Sequence, residues 1–183
     1  MLRTSVLVVA MAVASGASGV AKQAALQREP DVIFVPTPPD VVDAMLKLAK
    51  VTSSDLVYDL GSGDGRIPIA AAKAYGARGV GIEIDPERVR EATGNARSNG
   101  VADKVTFRTE DLFTADISPA TVVTLYLLPS LNLKLAGKLM KDLKPGTRIV
   151  SHAFDMGGWK PQQTQTVSGR PIYLWTIPPT PRR

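Results

Sequence analysis

The stretch Asp59-Leu60-Gly61-Ser62-Gly63-Asp64-Gly65 decides the reading of this chain. It closes a run, Leu56-Val57-Tyr58-Asp59-Leu60, whose apolar residues predict a strand, and it leads into residues 67–75, which predict a helix. Glycines at such a turn let the backbone bend sharply and approach a ligand without a Cβ in the way. A dinucleotide-binding turn reads G-x-G-x-x-G and needs glycine at position 66, where this chain has Arg66. The spacing here is G-x-G-x-G, with an acid two residues before the first glycine. Asp59, at a strand's end, repels a pyrophosphate and suits a cationic amino-acid group. Glu83 ends the next predicted strand, where a carboxylate accepts both hydroxyls of a ribose. The ligand implied is a nucleoside carrying an amino acid and no phosphate.

Outward from this turn, helical and strand-like stretches alternate, which predicts an α/β sheet in one domain without internal repeats. Thr37-Pro38-Pro39-Asp40 opens the first helix, with Thr37 read as its cap and Asp40 closing a capping box. Val41, Val42, Met45, Leu46 and Ala49 give that helix an apolar stripe. A second strand covers residues 79–84, and Asp85-Pro86 starts a helix that stops near Asn99-Gly100. Residues 105–108 and 121–127 predict the third and fourth strands, 131–143 a helix, and 148–154 the fifth strand. Residues 164–167 and 172–177, joined at Ser168-Gly169, predict a closing hairpin.

Composition narrows the chemistry. The 183 residues are 44% hydrophobic and 21% charged, as in a folded domain and unlike a disordered tail. With no cysteine there are no disulfides, no thiolate zinc sites and no thiol nucleophile. A single histidine, His152, makes a His-based metal site or a Ser-His relay unpromising, and no metal is expected. The net charge of +5 is mild and its basic residues are scattered among acids. With two Trp, four Tyr and four Phe, stacking platforms for bases are few, so nucleic acid is an unfavoured partner.

The first residues read as a targeting segment. Met1-Leu2-Arg3 gives a positive start, Val6 to Ala14 is unbroken apolar, and small residues around Gly19 and Ala21 come next. That is the layout of a signal peptide, and the apolar run is too short for a bilayer, which needs about 20 residues. Residues 1–21 are therefore expected to be a signal peptide or a short apolar anchor, 22–36 an N-terminal arm, 37–178 the domain and 179–183 a loose tail. The segment points to export or membrane association.

The glycine turn, Glu83 and Glu110-Asp111-Leu112, each after a predicted strand, make the chain resemble the class I S-adenosylmethionine-dependent methyltransferases. The resemblance runs from about Asp31 to Ile177. It implies a Rossmann-like seven-stranded sheet with helices on both faces and an antiparallel C-terminal hairpin. It further implies that Asp59, Gly61, Ser62, Gly63, Asp64 and Gly65 contact the methionine part of S-adenosylmethionine. Glu83 would hold its ribose, with Ile84, Asp111 and Leu112 beside its adenine. Because that cofactor is made in the cytoplasm, a cytoplasmic location stands as the alternative to export.

The acceptor is read from the residues after the fourth strand. Amino-methylating nucleic-acid enzymes of this class often carry an Asn or Asp motif there, and Tyr126-Leu127-Leu128-Pro129 has neither. Val35-Pro36-Thr37-Pro38, Tyr126 to Pro129 and Phe154-Asp155-Met156-Gly157-Gly158-Trp159 are similar to one subgroup. These are the mitochondrial lysine methyltransferases acting on an ATP synthase membrane subunit and the adenine nucleotide translocase, with their bacterial relatives. The similarity implies a protein acceptor with an accessible lysine, in some cases a membrane protein. Thr37, Tyr126, Pro129 and Trp159 are expected around it. Tyr126 is read as a wall around the amine or a tyrosine packed at a strand end. Asp155 is read as a group that deprotonates or orients the lysine, or one that holds the Gly157-Gly158 loop. His152 is expected to be a satisfied core histidine, and Trp159 to cover a hydrophobic edge first and touch substrate second. A small-molecule acceptor and a nucleoside-binding module without transfer activity remain as alternatives.

Overall fold

The computed structural model describes residues 34–179. The proposed signal or anchor, residues 22–33 of the arm and residues 180–183 of the tail lie outside the described residues. In chain order the elements are α1 (Pro39–Leu48), β1 (Leu56–Leu60), α2 (Arg66–Tyr75), β2 (Arg78–Glu83), α3 (Pro86–Ser98), β3 (Val105–Thr109), β4 (Val122–Leu125), α4 (Pro129–Asp142), β5 (Arg148–His152), β6 (Gln163–Val167) and β7 (Arg170–Thr176). They build one seven-stranded sheet in the order β3-β2-β1-β4-β5-β7-β6. Strands β1 to β5 run parallel, and β7 lies antiparallel between β5 and β6.

Alternation along the central strands sends their side chains to the two faces of the sheet, and a smaller cluster around Val105, Ile69 and Ala96 lies at the β3 end. Val57, Val122, Val150 and Ile172 pack beneath α1 and α2, whose buried stripes include Val41, Met45, Ile67 and Ala71. Tyr58, Val123, Leu125, Ile149 and Trp175 face the opposite side, beneath Leu131, Leu135 and Leu139 of α4. Buried on both faces, the central strands read as near-continuous apolar runs, as parallel sheets require.

Several boundaries differ from the sequence reading. Pro38, not Thr37, occupies the N-cap of α1, and no side chain caps that helix. The Thr37 hydroxyl is instead 3.2 Å from His152 Nδ1, and Asp40 accepts a bond from Ser168 in the hairpin turn. Strand β5 stops at His152 because Ala153 takes a left-handed φ of 65°, and β4 stops at Leu125 where its pairing with β5 ends. Helix α4 begins two residues before its expected start, with Pro129 in the first turn, where its missing N–H is harmless. In the hairpin, Val167 pairs with Arg170 across Ser168 and Gly169, at φ 50° and 76°, which matches the strand twist.

The Asp85 cap is as read: its carboxylate accepts the Glu87 N–H at 2.8 Å. Asp85→Ala should cost about 1 kcal/mol. A shift in the urea midpoint at constant slope would register it, and an unmoved midpoint would refute it.

Candidate active site

Each parallel strand ends on the same rim, and the strand order reverses between β1 and β4, where open α/β sheets bind ligands. A cavity of about 270 Å³ opens there. Asp59, Gly61, Ser62 and Asp64 enter it after β1, Glu83 and Ile84 after β2, Asp111 and Leu112 after β3, and Tyr126 after β4. Thr37 lines it from the arm. Ten of the residues singled out from sequence thus meet in one space.

Asp59 is buried, and its Oδ1 accepts a 2.7 Å bond from Thr124 Oγ1. Burial lifts its pKa to about 7; the Thr124 bond opposes this, while Glu83 and Asp64 add like-charge repulsion. Such a carboxylate awaits a cation. Glu83 is braced by the backbone: Oε2 accepts Gly63 N–H at 2.8 Å, and Oε1 accepts Ile84 N–H at 2.8 Å and Asp85 N–H at 3.1 Å. The two N–H donors fill Oε1, while Oε2, with a single donor, keeps acceptor capacity for a hydroxyl group. The Ser62 hydroxyl is buried on the cavity wall with no partner. Two carboxylate acceptors and one hydroxyl, so placed, fit a nucleoside bearing an amino-acid ammonium.

Asp111 lines the cavity and also holds its own turn, accepting Phe113 N–H at 2.8 Å. Gly63 and Gly65 act behind the wall. A Cβ on Gly63 would fall 2.1 Å from Phe34 Cε2, so its missing side chain admits that ring onto the loop. Gly65 is the left-handed N-cap of α2, at φ 80°, against Phe107 and Ala92.

The arm and the loop are linked by residues the sequence reading passes over. Arg66 donates to the Asp64 carboxylate and, through Nη1, to Thr37 O at 2.9 Å. Burial would raise the Asp64 pKa, but the Arg66 bonds outweigh it and hold it below the usual value. The Arg88 guanidinium lies 4.4 Å from the Phe34 ring centroid. Arg66 carries a signal after all, as the residue standing where a dinucleotide turn has glycine.

Two of the expected acceptor residues, Pro129 and Trp159, do not line the cavity, nor does Asp155. Pro129 is the first residue of α4. Trp159 packs beside Trp175, its carbonyl accepting the Trp175 Nε1–H at 2.8 Å, so it covers a core edge. Asp155 accepts the Gly157 N–H at 3.0 Å, a contact that fits the loop-holding reading. The expectation of His152 as a satisfied core histidine is half met: it is buried, but Nε2 has no partner. Asn132 escapes the sequence reading as well. It sits fully buried in the apolar stripe of α4 and donates to Ser151 Oγ, Phe154 O and Asp155 O, fixing the loop after β5. An amide at a core position of an otherwise apolar stripe is its signal.

A doubly wound sheet closed by an antiparallel strand, with an acid-flanked glycine turn at its switch point, is the class I methyltransferase fold. The model of the ANTKMT methyltransferase domain matches residues 59–163. A protein-lysine N-methyltransferase of Saccharolobus islandicus is 48% identical over 81% of this chain and 95% of its own length. The human ATP synthase C-subunit lysine N-methyltransferase is 34% identical over 70% of this chain, which spans 54% of that protein. A crystal structure from Salinibacter ruber, described as an RNA methyltransferase in complex with S-adenosyl-L-homocysteine, is 62% identical with a TM-score of 0.78, covering 79% of this chain and 94% of that one. The chain belongs to the ANTKMT methyltransferase family.

Proposed function

We propose that the protein is an S-adenosylmethionine-dependent protein-lysine N-methyltransferase. The observation that carries this reading is the near full-length similarity to the Saccharolobus lysine enzyme, joined to a cavity whose buried Asp59 and braced Glu83 fit the nucleoside amino acid. The methyl donor is S-adenosylmethionine, which supplies an electrophilic methyl group on sulfur. Asp59 would take its ammonium, Glu83 its ribose hydroxyls, the Ser62 hydroxyl a further polar contact, and Ile84 and Leu112 the faces of its base. Tyr126 and Thr37 bound the remaining part of the cavity, where the amine enters. A lysine must be neutral to attack, and closing the site against water favours that state. The chain's own contribution is mainly alignment.

The apolar segment at residues 6–14 is proposed as an anchor that leaves the domain on the side where the cofactor is made. Among the described residues no helix is long and apolar enough to cross a membrane. Intact mass of the cellular protein tests the anchor: loss of residues 1–21 would rule it out.

The full chain incubated with radiolabelled S-adenosylmethionine and separated protein, RNA and lipid fractions tests the acceptor. Acid-stable label on lysine in a protein band is the expected result. Label confined to RNA would move the chain toward the description given to the Salinibacter protein, and label in the lipid fraction toward a small-molecule enzyme. For the ribose contact, Glu83→Gln replaces charged hydrogen bonds by neutral ones, a difference of about 1 kcal/mol. S-adenosylhomocysteine should bind it about fivefold to tenfold more weakly in calorimetry. Unaltered affinity would remove Glu83 from the site.

A further inference from the structure

His152 is a buried titratable group that the proposed chemistry leaves unused. Its ring centroid lies 3.9 Å from that of Tyr126, at an interplanar angle of 36°. Phe154 stacks on the same tyrosine at 6.5 Å and 17°. On its other side His152 Nδ1 meets the Thr37 hydroxyl at 3.2 Å. Thr37 and Tyr126 belong to parts of the chain far apart in sequence, the arm before α1 and the end of β4, yet both line the cavity. His152 touches both. A phenylalanine in its place would keep the stack and lose the hydrogen bond, and an asparagine would do the reverse. The imidazole makes both contacts, and it does so with Nε2 buried and unpartnered. Burial, aided by Arg170, depresses its pKa to about 4, so the ring is neutral in ordinary conditions and sets no charge behind Tyr126.

We infer that His152 is a positioning residue for the acceptor, a clasp that fixes the arm's Thr37 and the β4-end Tyr126 as the two walls between which the acceptor lysine enters. The inference rests on the lysine-methyltransferase reading for the nature of the acceptor, and on geometry alone for the clasp. Cofactor contacts lie elsewhere in the cavity, at Asp59 and Glu83, so loosening the clasp affects the two substrates unequally.

His152→Phe and Thr37→Val each delete the hydrogen bond from one side, and Thr37→Val keeps a β-branched side chain of the same shape. Hydrogen exchange of the arm peptide at residues 34–42, S-adenosylhomocysteine affinity, and turnover against dilutions of the labelled protein fraction are measured for both and for the double variant. Each single variant should speed arm exchange and raise the half-saturating acceptor concentration about tenfold, as one lost hydrogen bond implies. Cofactor affinity should stay within about twofold. The double variant should be no worse than either single one, because both remove the same link. Unchanged arm exchange in both variants, or losses that add, would overturn the clasp. A wild-type chain that labels no lysine, with arm exchange responding as stated, would refute the acceptor reading instead.

Discussion

S-adenosylhomocysteine should bind this protein about tenfold more weakly at pH 6 than at pH 8, and should release a proton as it binds in the lower half of that range. The cause is Asp59. Burial lifts its pKa to about 7 in the unliganded fold, so near pH 6 the carboxyl is mostly neutral. An ammonium group in the cavity demands the ionised form, and binding must expel the proton first. Calorimetry in two buffers of different ionisation enthalpy reads the proton count directly. Asp59→Asn can still accept the Thr124 hydroxyl, so its packing is retained while the titration is removed. That variant should bind more weakly at pH 8, by about 1–3 kcal/mol, and should lose the pH dependence. A wild-type affinity that is flat across the range would show that Asp59 does not receive the ammonium. Stability carries the opposite sign. The folded chain holds the Asp59 proton more tightly than the unfolded chain, whose carboxyl titrates near 3.8, so this residue's contribution falls as pH rises from about 4 to about 7. Ligand should restore the loss.

The largest single loss of stability is expected at the other end of the sheet. Asp55 is buried just before β1, and its Oδ1 is shared by Arg148 at the start of β5 and the Thr121 hydroxyl before β4, the latter at 2.7 Å. Its Oδ2 accepts Thr52 N–H at 2.7 Å. Arg148 in turn donates to Ala49 O at 2.7 Å, at the end of α1. One carboxylate therefore ties three strands and a helix. Asp55→Ala leaves the Arg148 charge and the Thr121 hydroxyl without their partner, and removing one member of such a pair costs about 3–5 kcal/mol. Burial alone would raise the Asp55 pKa, but Thr121, Thr52 N–H and Arg148 outweigh it and hold the pKa below 3.8. The stabilisation is thus complete above about pH 4 and disappears as pH falls through the depressed value. Denaturant titrations should show wild type and variant far apart at pH 7 and converging in acid. A gap under about 1 kcal/mol at neutral pH would mean that the junction holds nothing.

The sheet was legible because its strands are short apolar runs punctuated by glycine and proline, signals carried within a few residues. The cavity rim was legible for the same reason: Asp59, Gly61 and Glu83 sit at strand ends, and strand ends in this topology converge. The partners of Thr37, Asp155 and Trp159 were not. Thr37 has the sequence of a helix cap, and what takes its hydroxyl is His152, 115 residues away. Trp159 and Asp155 each have two readings in sequence, one structural and one toward the acceptor, and the contacts with Trp175 and Gly157 are set by the fold. Only the fold sets those pairings, through Asn132 gripping the loop after β5.

The hairpin has a meaning for the protein's behaviour in crowded solution. Strand β7 carries Ile172, Leu174 and Trp175, and an open margin of that kind invites strand addition by another chain. The chain does not end the sheet there. It folds Gln163-Thr164-Gln165-Thr166 back along β7, placing a narrow, solvated strand outermost. The apolar strand becomes interior, and the margin left to solvent is a five-residue strand whose side chains are almost all exposed, so shortness and lack of apolar surface, not charge, limit what this edge offers another chain.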